Sequence, residues 1–470
     1  MSHTALATRP ANGKQNLLQP SDRAAHGWYR FVLSFPPHLV RDYLDRFGIG
    51  SGQRVLDPFC GTGTTLVECK KLGIPSVGLE ANPMACFASR VKVDWTPDPD
   101  ALLAHAQELG ELAREEMRSH GIDDDFFFSS PRKRTCPLLS LPAEQEKLLL
   151  KGSISPLPLH KTLVLLKHFD LYRDETVDAH ERLALAKALV ETISNLHFGP
   201  EVGVGPAKKD APTVAPWLDG VRAIAEDLRA LGALDTTPSA VHQADARRVD
   251  CLLDPQSIDA VITSPPYPNE KDYTRTTRLE SVLLGMIRDK ADLRAVKQGL
   301  VRSNTRTVFV KDVDDRWVAG HPEVQRIAEA IEARRIELGK TSGFERMYPR
   351  AVKLYFGGMF RHLASLRQVL RPGARLAYVV GDQASYLRVM IRTGQILADM
   401  AKSLGYELLG IDLFRTRLAT ATREQLREEV VLLRLPGGLS STHEPSVAEA
   451  PAKYRRRGGT KKKGRNTSAG

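Results

Sequence analysis

Between residues 54 and 94 short apolar segments alternate with helical stretches: RVLD at 54–57, a helix from Thr64 to Leu72, SVGLE at 76–80 and a further helix after Asn82. Strand, helix and strand at that spacing predict a βαβ unit with parallel strands and a right-handed crossover. The alternation then stops. Residues 95–238 carry helical patterns such as HERLALAKALVETISNL, with Pro- and Gly-rich loops and almost no strand signal, so they are read as a helical insertion. Strands resume with AVHQAD (240–245) and IDAVITS (258–264), followed by a helix near Arg275 to Ile287 and an irregular stretch over 289–350. A helix through LYFGGMFRHLASLRQVL is stopped by Arg371-Pro372-Gly373, and RLAYVVGD (375–382), a helix near 391–404, YELLGIDLF (406–414) and EEVVLLRL (428–435) complete the pattern. Seven strands in one α/β domain are expected, built from residues 26–94 and 239–436. Residues 1–25 and 437–470 are polar and aperiodic, and both read as disordered ends.

Composition narrows the class. At 470 residues with 42% hydrophobic and 26% charged content, the chain can bury a large core, and no apolar run approaches the roughly 18 residues of a membrane helix. The first twenty residues lack the apolar stretch of a signal peptide, which leads to the expectation of a cytoplasmic protein and no membrane partner. Five cysteines include no C-x-x-C pair, and H-E-x-x-H is absent, so no metal site is expected.

Two motifs carry chemistry. Asp57-Pro58-Phe59-Cys60-Gly61-Thr62-Gly63-Thr64-Thr65 lies where the first strand passes into its helix, and a Gly-rich turn there lets backbone approach a ligand closely. It is not a P-loop, and Leu66 stands where a dinucleotide fingerprint needs its third glycine. Taken alone, G-x-G reads equally as an ordinary tight turn. Glu80 closes the next strand, where a carboxylate can accept from both hydroxyls of a ribose or stay solvated; Asp245 closes the following one and could accept from an adenine amino group. Three acids at successive strand ends suit a ligand with a cationic centre, a ribose and an adenine. The second motif, Thr263-Ser264-Pro265-Pro266-Tyr267-Pro268-Asn269, ends IDAVI; its two prolines stiffen the loop and remove two backbone donors, leaving carbonyls to point into a site.

The pair, Asp57-Pro58-Phe59-x-Gly61-x-Gly63-Thr64 with Thr263-Ser264-Pro265-Pro266-Tyr267 downstream, resembles the S-adenosylmethionine-dependent amino-methyltransferases of DNA. The resemblance covers about 28–94 and 240–435, and Ser34-Phe35-Pro36-Pro37 is similar to the family segment that closes over the methionine end of the cofactor. It implies a seven-stranded Rossmann-like class I methyltransferase sheet, S-adenosyl-L-methionine as cofactor and DNA as substrate, with room for a restriction endonuclease partner. It places the cofactor against Phe35, Pro36, Asp57, Phe59, Gly61, Gly63, Thr64, Glu80 and Asp245, and catalysis at Ser264, Pro265, Pro266 and Tyr267. A serine heading the second motif looks like the cytosine-N4 branch; adenine N6, an RNA amine or a non-catalytic nucleic-acid-binding role are the other readings. Oligomeric state is left open.

The net charge of +11 divides unevenly: residues 451–470 hold eight basic residues and no acid, leaving +3 for the remainder. Such a tail adds salt-sensitive, sequence-independent affinity for DNA. Next to the second motif, residues 271–310 carry nine Lys or Arg (Lys271, Arg275, Arg278, Arg288, Lys290, Arg294, Lys297, Arg302, Arg306) against four acids, a candidate phosphate-contacting face. The insertion, with Phe126-Phe127-Phe128, Arg132-Lys133-Arg134 and Lys208-Lys209, is the candidate for target recognition, with a purely structural role as the alternative.

Overall fold

The structure, a computed structural model, describes residues 18–29, 34–124, 134–198, 201–234, 236–269, 271–418 and 425–437. Its strands are β1 (Val55–Asp57), β2 (Ser76–Glu80), β3 (Leu196–Phe198), β4 (Val202–Val204), β5 (Ser239–Gln243), β6 (Ile258–Thr263), β7 (Leu370–Gly381), β8 (Glu407–Leu418) and β9 (Gln425–Arg434). Seven of them form one sheet in the order β5-β2-β1-β6-β7-β9-β8, and β3 pairs with β4 as a separate hairpin. Pairing is parallel from β5 to β7, while β9 runs antiparallel to both β7 and β8. This is the class I methyltransferase arrangement expected from the motifs.

From β1 the chain builds outward through β2 and β5, then returns to the other side with β6 and β7. The order therefore reverses between β1 and β6, and open α/β sheets bind ligands outside the carboxyl ends of the strands at such a point. The central strands are fit for that position because they are buried on both faces, as Val55, Leu56, Ala260, Val261 and Ile262 all are.

The helical insertion is not a separate body. Leu66, Val67, Met84 and Ala88, from the helices following β1 and β2, share one continuous apolar core with Leu102, Ala106, Leu165, Leu185, Trp217 and Val221 of the insertion. Trp217 is completely buried, and its indole N–H donates to the Glu181 carbonyl at 3.0 Å. Trp217→Ala should lower stability by about 3–5 kcal/mol, the usual cost of an aromatic cavity, in a denaturant titration. A loss under 1 kcal/mol would show that this core is dispensable.

Several expectations need correction. Residues 18–25 do not read as a loose end: Ala25 and Asp22 are buried, and the Asp227 carboxylate of the insertion accepts from the Ala25 backbone N–H (3.0 Å) and the Trp28 indole (2.7 Å). Residues 1–17 and 438–470, with the basic tail, and Phe126-Phe127-Phe128 and Arg132-Lys133 lie outside the described residues. The stretch 289–350 holds helices Lys290–Gly299 and Pro322–Glu337 and the start of Gly343–Val369. That last helix starts inside the stretch read as irregular and runs through Pro349. It stops at Val369 and β7 begins at once, so Arg371-Pro372-Gly373 lies within the strand, where the pairing with β6 slips register.

Candidate active site

The two motifs meet at the reversal of strand order. The Thr263 hydroxyl donates to Asp57 Oδ1 at 2.5 Å, and the Thr65 hydroxyl donates to the Ile262 carbonyl at 3.1 Å, stitching the end of β1 and its helix to the end of β6. Beside this seam opens a cavity of about 340 Å³, walled by the Gly-rich turn, Glu80, Phe35 and the Ser264–Tyr267 loop.

Asp57 is fully buried. Its Oδ1 also accepts from the Phe59 N–H at 3.1 Å, whereas Oδ2 has no hydrogen-bond partner among the described residues. Burial pushes its carboxyl up to about 6, against the pull of the Thr263 and Thr65 hydroxyls and the Phe59 N–H. The turn that follows needs glycine at Gly63, where φ is +86° and a Cβ would lie 2.6 Å from the Ser89 hydroxyl.

Glu80 is half-buried at the end of β2. Oε2 accepts from the Gly61 N–H at 3.0 Å and Oε1 from the Asn82 N–H at 2.7 Å. Each oxygen thus holds one backbone donor and keeps further lone-pair capacity toward the cavity. Burial pushes this carboxyl up to about 7, opposed by those two N–H groups.

In the second motif the Ser264 hydroxyl donates its proton to the Val379 carbonyl of β7 at 3.1 Å. The Tyr267 ring packs where β7 carries no side chain: a Cβ at Gly381 would sit 3.0 Å from Tyr267 Cε2. The Tyr267 N–H points to the Tyr273 hydroxyl at 3.4 Å.

Of the residues singled out from sequence, Phe35, Phe59, Gly61, Thr64, Glu80, Ser264, Pro265, Pro266 and Tyr267 line the cavity. Pro36 caps the helix Pro37–Phe47, and Gly63 and Asp57 lie behind the wall. Asp245 is placed differently from its expected role. Its carboxylate is taken up by Arg247, at 2.9 Å from Nε and 2.7 Å from Nη2, and it is the flanking Ala244 and Ala246 that reach the cavity. The cavity's far wall was not foreseen: Phe414, Arg415 and Arg417 of β8 and Glu428 of β9. Arg415 grips Glu428 through two bonds, of 2.5 and 2.9 Å.

The candidate basic face also looks different in three dimensions. Lys297 pairs with Asp272, Arg288 with Asp292, and Arg302, almost wholly buried, with Asp312. Arg278 donates to the Thr274 and Leu148 carbonyls. Of the nine cations only Lys271 borders the cavity.

A family model described as DNA methylase, for N6 and N4 enzymes, matches residues 12–89. Over most of its length the chain is similar to two curated proteins. It is 23% identical to Type II methyltransferase M.BsoBI of Geobacillus stearothermophilus, over 88% of this chain and 84% of that protein. It is 24% identical to Type II methyltransferase M.AvaI of Nostoc sp., over 92% and 90%. These matches support an amino-methylating DNA methyltransferase. A shorter match, 38% identical over 17% of this chain and 15% of the other, is to Type II methyltransferase M.MjaII of Methanocaldococcus jannaschii. Among the described residues of this methyltransferase, no helix is long and apolar enough to cross a membrane, and no group of three or more His, Cys, Asp or Glu could hold a metal ion.

The residues present suit S-adenosylmethionine. A half-buried carboxylate with spare acceptor capacity fits a ribose diol, and a buried Asp57 oxygen without a partner fits a nearby positive charge.

Proposed function

We propose that this methyltransferase methylates the exocyclic N4 of cytosine in DNA. The carrying observation is the Ser264 hydroxyl: because its hydrogen is committed to the Val379 carbonyl, its oxygen presents lone pairs to the cavity beside Pro265 and Tyr267. Bound S-adenosylmethionine supplies an electrophilic methyl group on a sulfonium centre, and Glu80, the Gly61–Thr64 turn and Phe35 are the residues that would hold it. An exocyclic amine is a poor nucleophile, because its lone pair is delocalised into the ring. The Ser264 oxygen and the Pro265 carbonyl accept its two hydrogens, which favours a pyramidal nitrogen with a localised lone pair. Tyr267 stacks on the base and fixes the approach, and positioning of this kind can supply several of the ~7–11 kcal/mol available from proximity. Since the amine is paired inside a duplex, the target base must be rotated out at a cost of a few kcal/mol.

The serine at the head of the motif supports cytosine over adenine by its resemblance to the N4 branch. A restriction endonuclease is proposed as a partner, in keeping with the family resemblance of the two motifs. The insertion, which shares its core with the helices that follow β1 and β2, is proposed to contribute to target recognition. The deciding experiment incubates the protein and S-adenosylmethionine with unmodified DNA and, separately, RNA, digests each, and identifies the methylated nucleoside by mass. N4-methylcytosine in DNA is the expected product; N6-methyladenine would replace the reading.

A further inference from the structure

We propose that Lys271 and Arg417 grip the phosphodiester of the extruded target nucleotide at the mouth of the cavity, an assignment that rests on the DNA substrate of the proposed function. Both residues border the cavity, Lys271 four residues beyond Tyr267 and Arg417 on the far-wall strand β8. Arg417 is 42% exposed and only brushes Glu428, at 3.5 Å, because Arg415 already holds that carboxylate through two bonds. The Lys271 ammonium has no acceptor among the described residues, although its backbone is pinned: its carbonyl accepts from the buried Asn304 amide at 2.8 Å and its N–H donates to Asn269 Oδ1 at 3.2 Å. Its eight companions in the same basic stretch do not reach the cavity. Three cations, Lys271, Arg415 and Arg417, therefore face one acid, Glu428, on this wall.

Burial and the neighbouring charge of Arg417 push the Lys271 pKa down, with Glu201 of the insertion pulling the other way. Two such cations in one partly desolvated wall repel each other until an anion comes between them. A base turned out of a duplex brings one with it, since its own phosphodiester must follow it to the cavity mouth. Arg417 and Arg415 lie on β8, across the sheet from the Glu80 side, so the charge sits where the nucleotide, and not the ribose of the cofactor, would enter.

The test is fluorescence-anisotropy titration of a short duplex carrying one mispaired cytosine, over a series of salt concentrations, with the full-length protein and its Lys271→Ala, Arg417→Ala and Lys271→Arg variants. Cofactor affinity is measured alongside by calorimetry without DNA. Each alanine variant should weaken DNA binding about tenfold at low salt and reduce the slope of log K against log salt by about 1, with cofactor affinity unchanged. Lys271→Arg should restore the slope. Unchanged slopes in variants of a wild-type protein that does bind DNA would overturn this assignment alone. A fall in cofactor affinity would also overturn it, moving the two cations to the methionine carboxylate. Wild-type protein that binds no DNA would remove the functional reading and the clamp together.

Discussion

Ser264→Ala should reduce single-turnover methyl transfer by about 10²- to 10³-fold, comparable to removing one preorganised hydrogen-bonding group from an active site, while S-adenosylmethionine binds as before. The hydroxyl sits between two partners. It gives its hydrogen to the Val379 carbonyl at 3.1 Å and offers its lone pairs to the cavity, so alanine leaves both the target amine and that carbonyl unsatisfied. Tyr267→Ala should fall in the same class, since it removes the ring that packs against the bare backbone at Gly381. Rapid-quench measurement of methyl transfer together with calorimetric titration of the cofactor separates the two steps. Wild-type transfer by Ser264→Ala would sink the assignment of Ser264 as amine acceptor, and equal loss of cofactor binding would show that the loop serves the cofactor instead.

Glu80→Ala should show the opposite signature, with cofactor Kd raised about 100-fold, since hydrogen bonds to a charged acceptor are worth ~1.5–3 kcal/mol each and act here as one unit. The same residue sets a pH dependence. A ribose diol donates to the carboxylate, so the ionised form binds it better, and in the free protein that form is disfavoured until the pH passes about 7. Affinity should therefore climb between pH 6 and 8 and level off above, by at most about tenfold per pH unit on the acid side. Glu80→Gln should bind weakly and with this climb removed. Calorimetric titrations at several pH values check it; a wild-type affinity flat from pH 6 to 8 would mean that Glu80 does not contact the ribose.

How much of this was legible in the sequence differs from residue to residue. The strands showed because buried parallel strands are written as short apolar runs, and Glu80 and Ser264 showed because strand ends in such sheets are where ligands bind. Asp245 misled for a local reason: Arg247, two residues on, takes its carboxylate, and a bare strand-end acid gives no warning of that. The basic run from 271 to 310 was legible only as a sum, since Asp272, Asp292 and Asp312 engage three of its nine cations and Lys271 alone borders the cavity. The cavity's far wall could not be read at all. Arg415, Arg417 and Glu428 are ordinary outward positions of two antiparallel strands, and only the insertion of β9 between β7 and β8 brings them opposite residues more than a hundred positions away.

That strand order has a consequence for how the gene can vary. The sheet is finished from the inside: β8 is made before β9, yet reaches β7 only through it, so until residues 425–434 leave the ribosome the chain presents two open edges and half a pocket. A frameshift or stop codon ahead of Gln425 should yield no methyltransferase at all, not a weaker one. In a cell where an unmethylated site is cut, a late truncation would then be as costly as an early one.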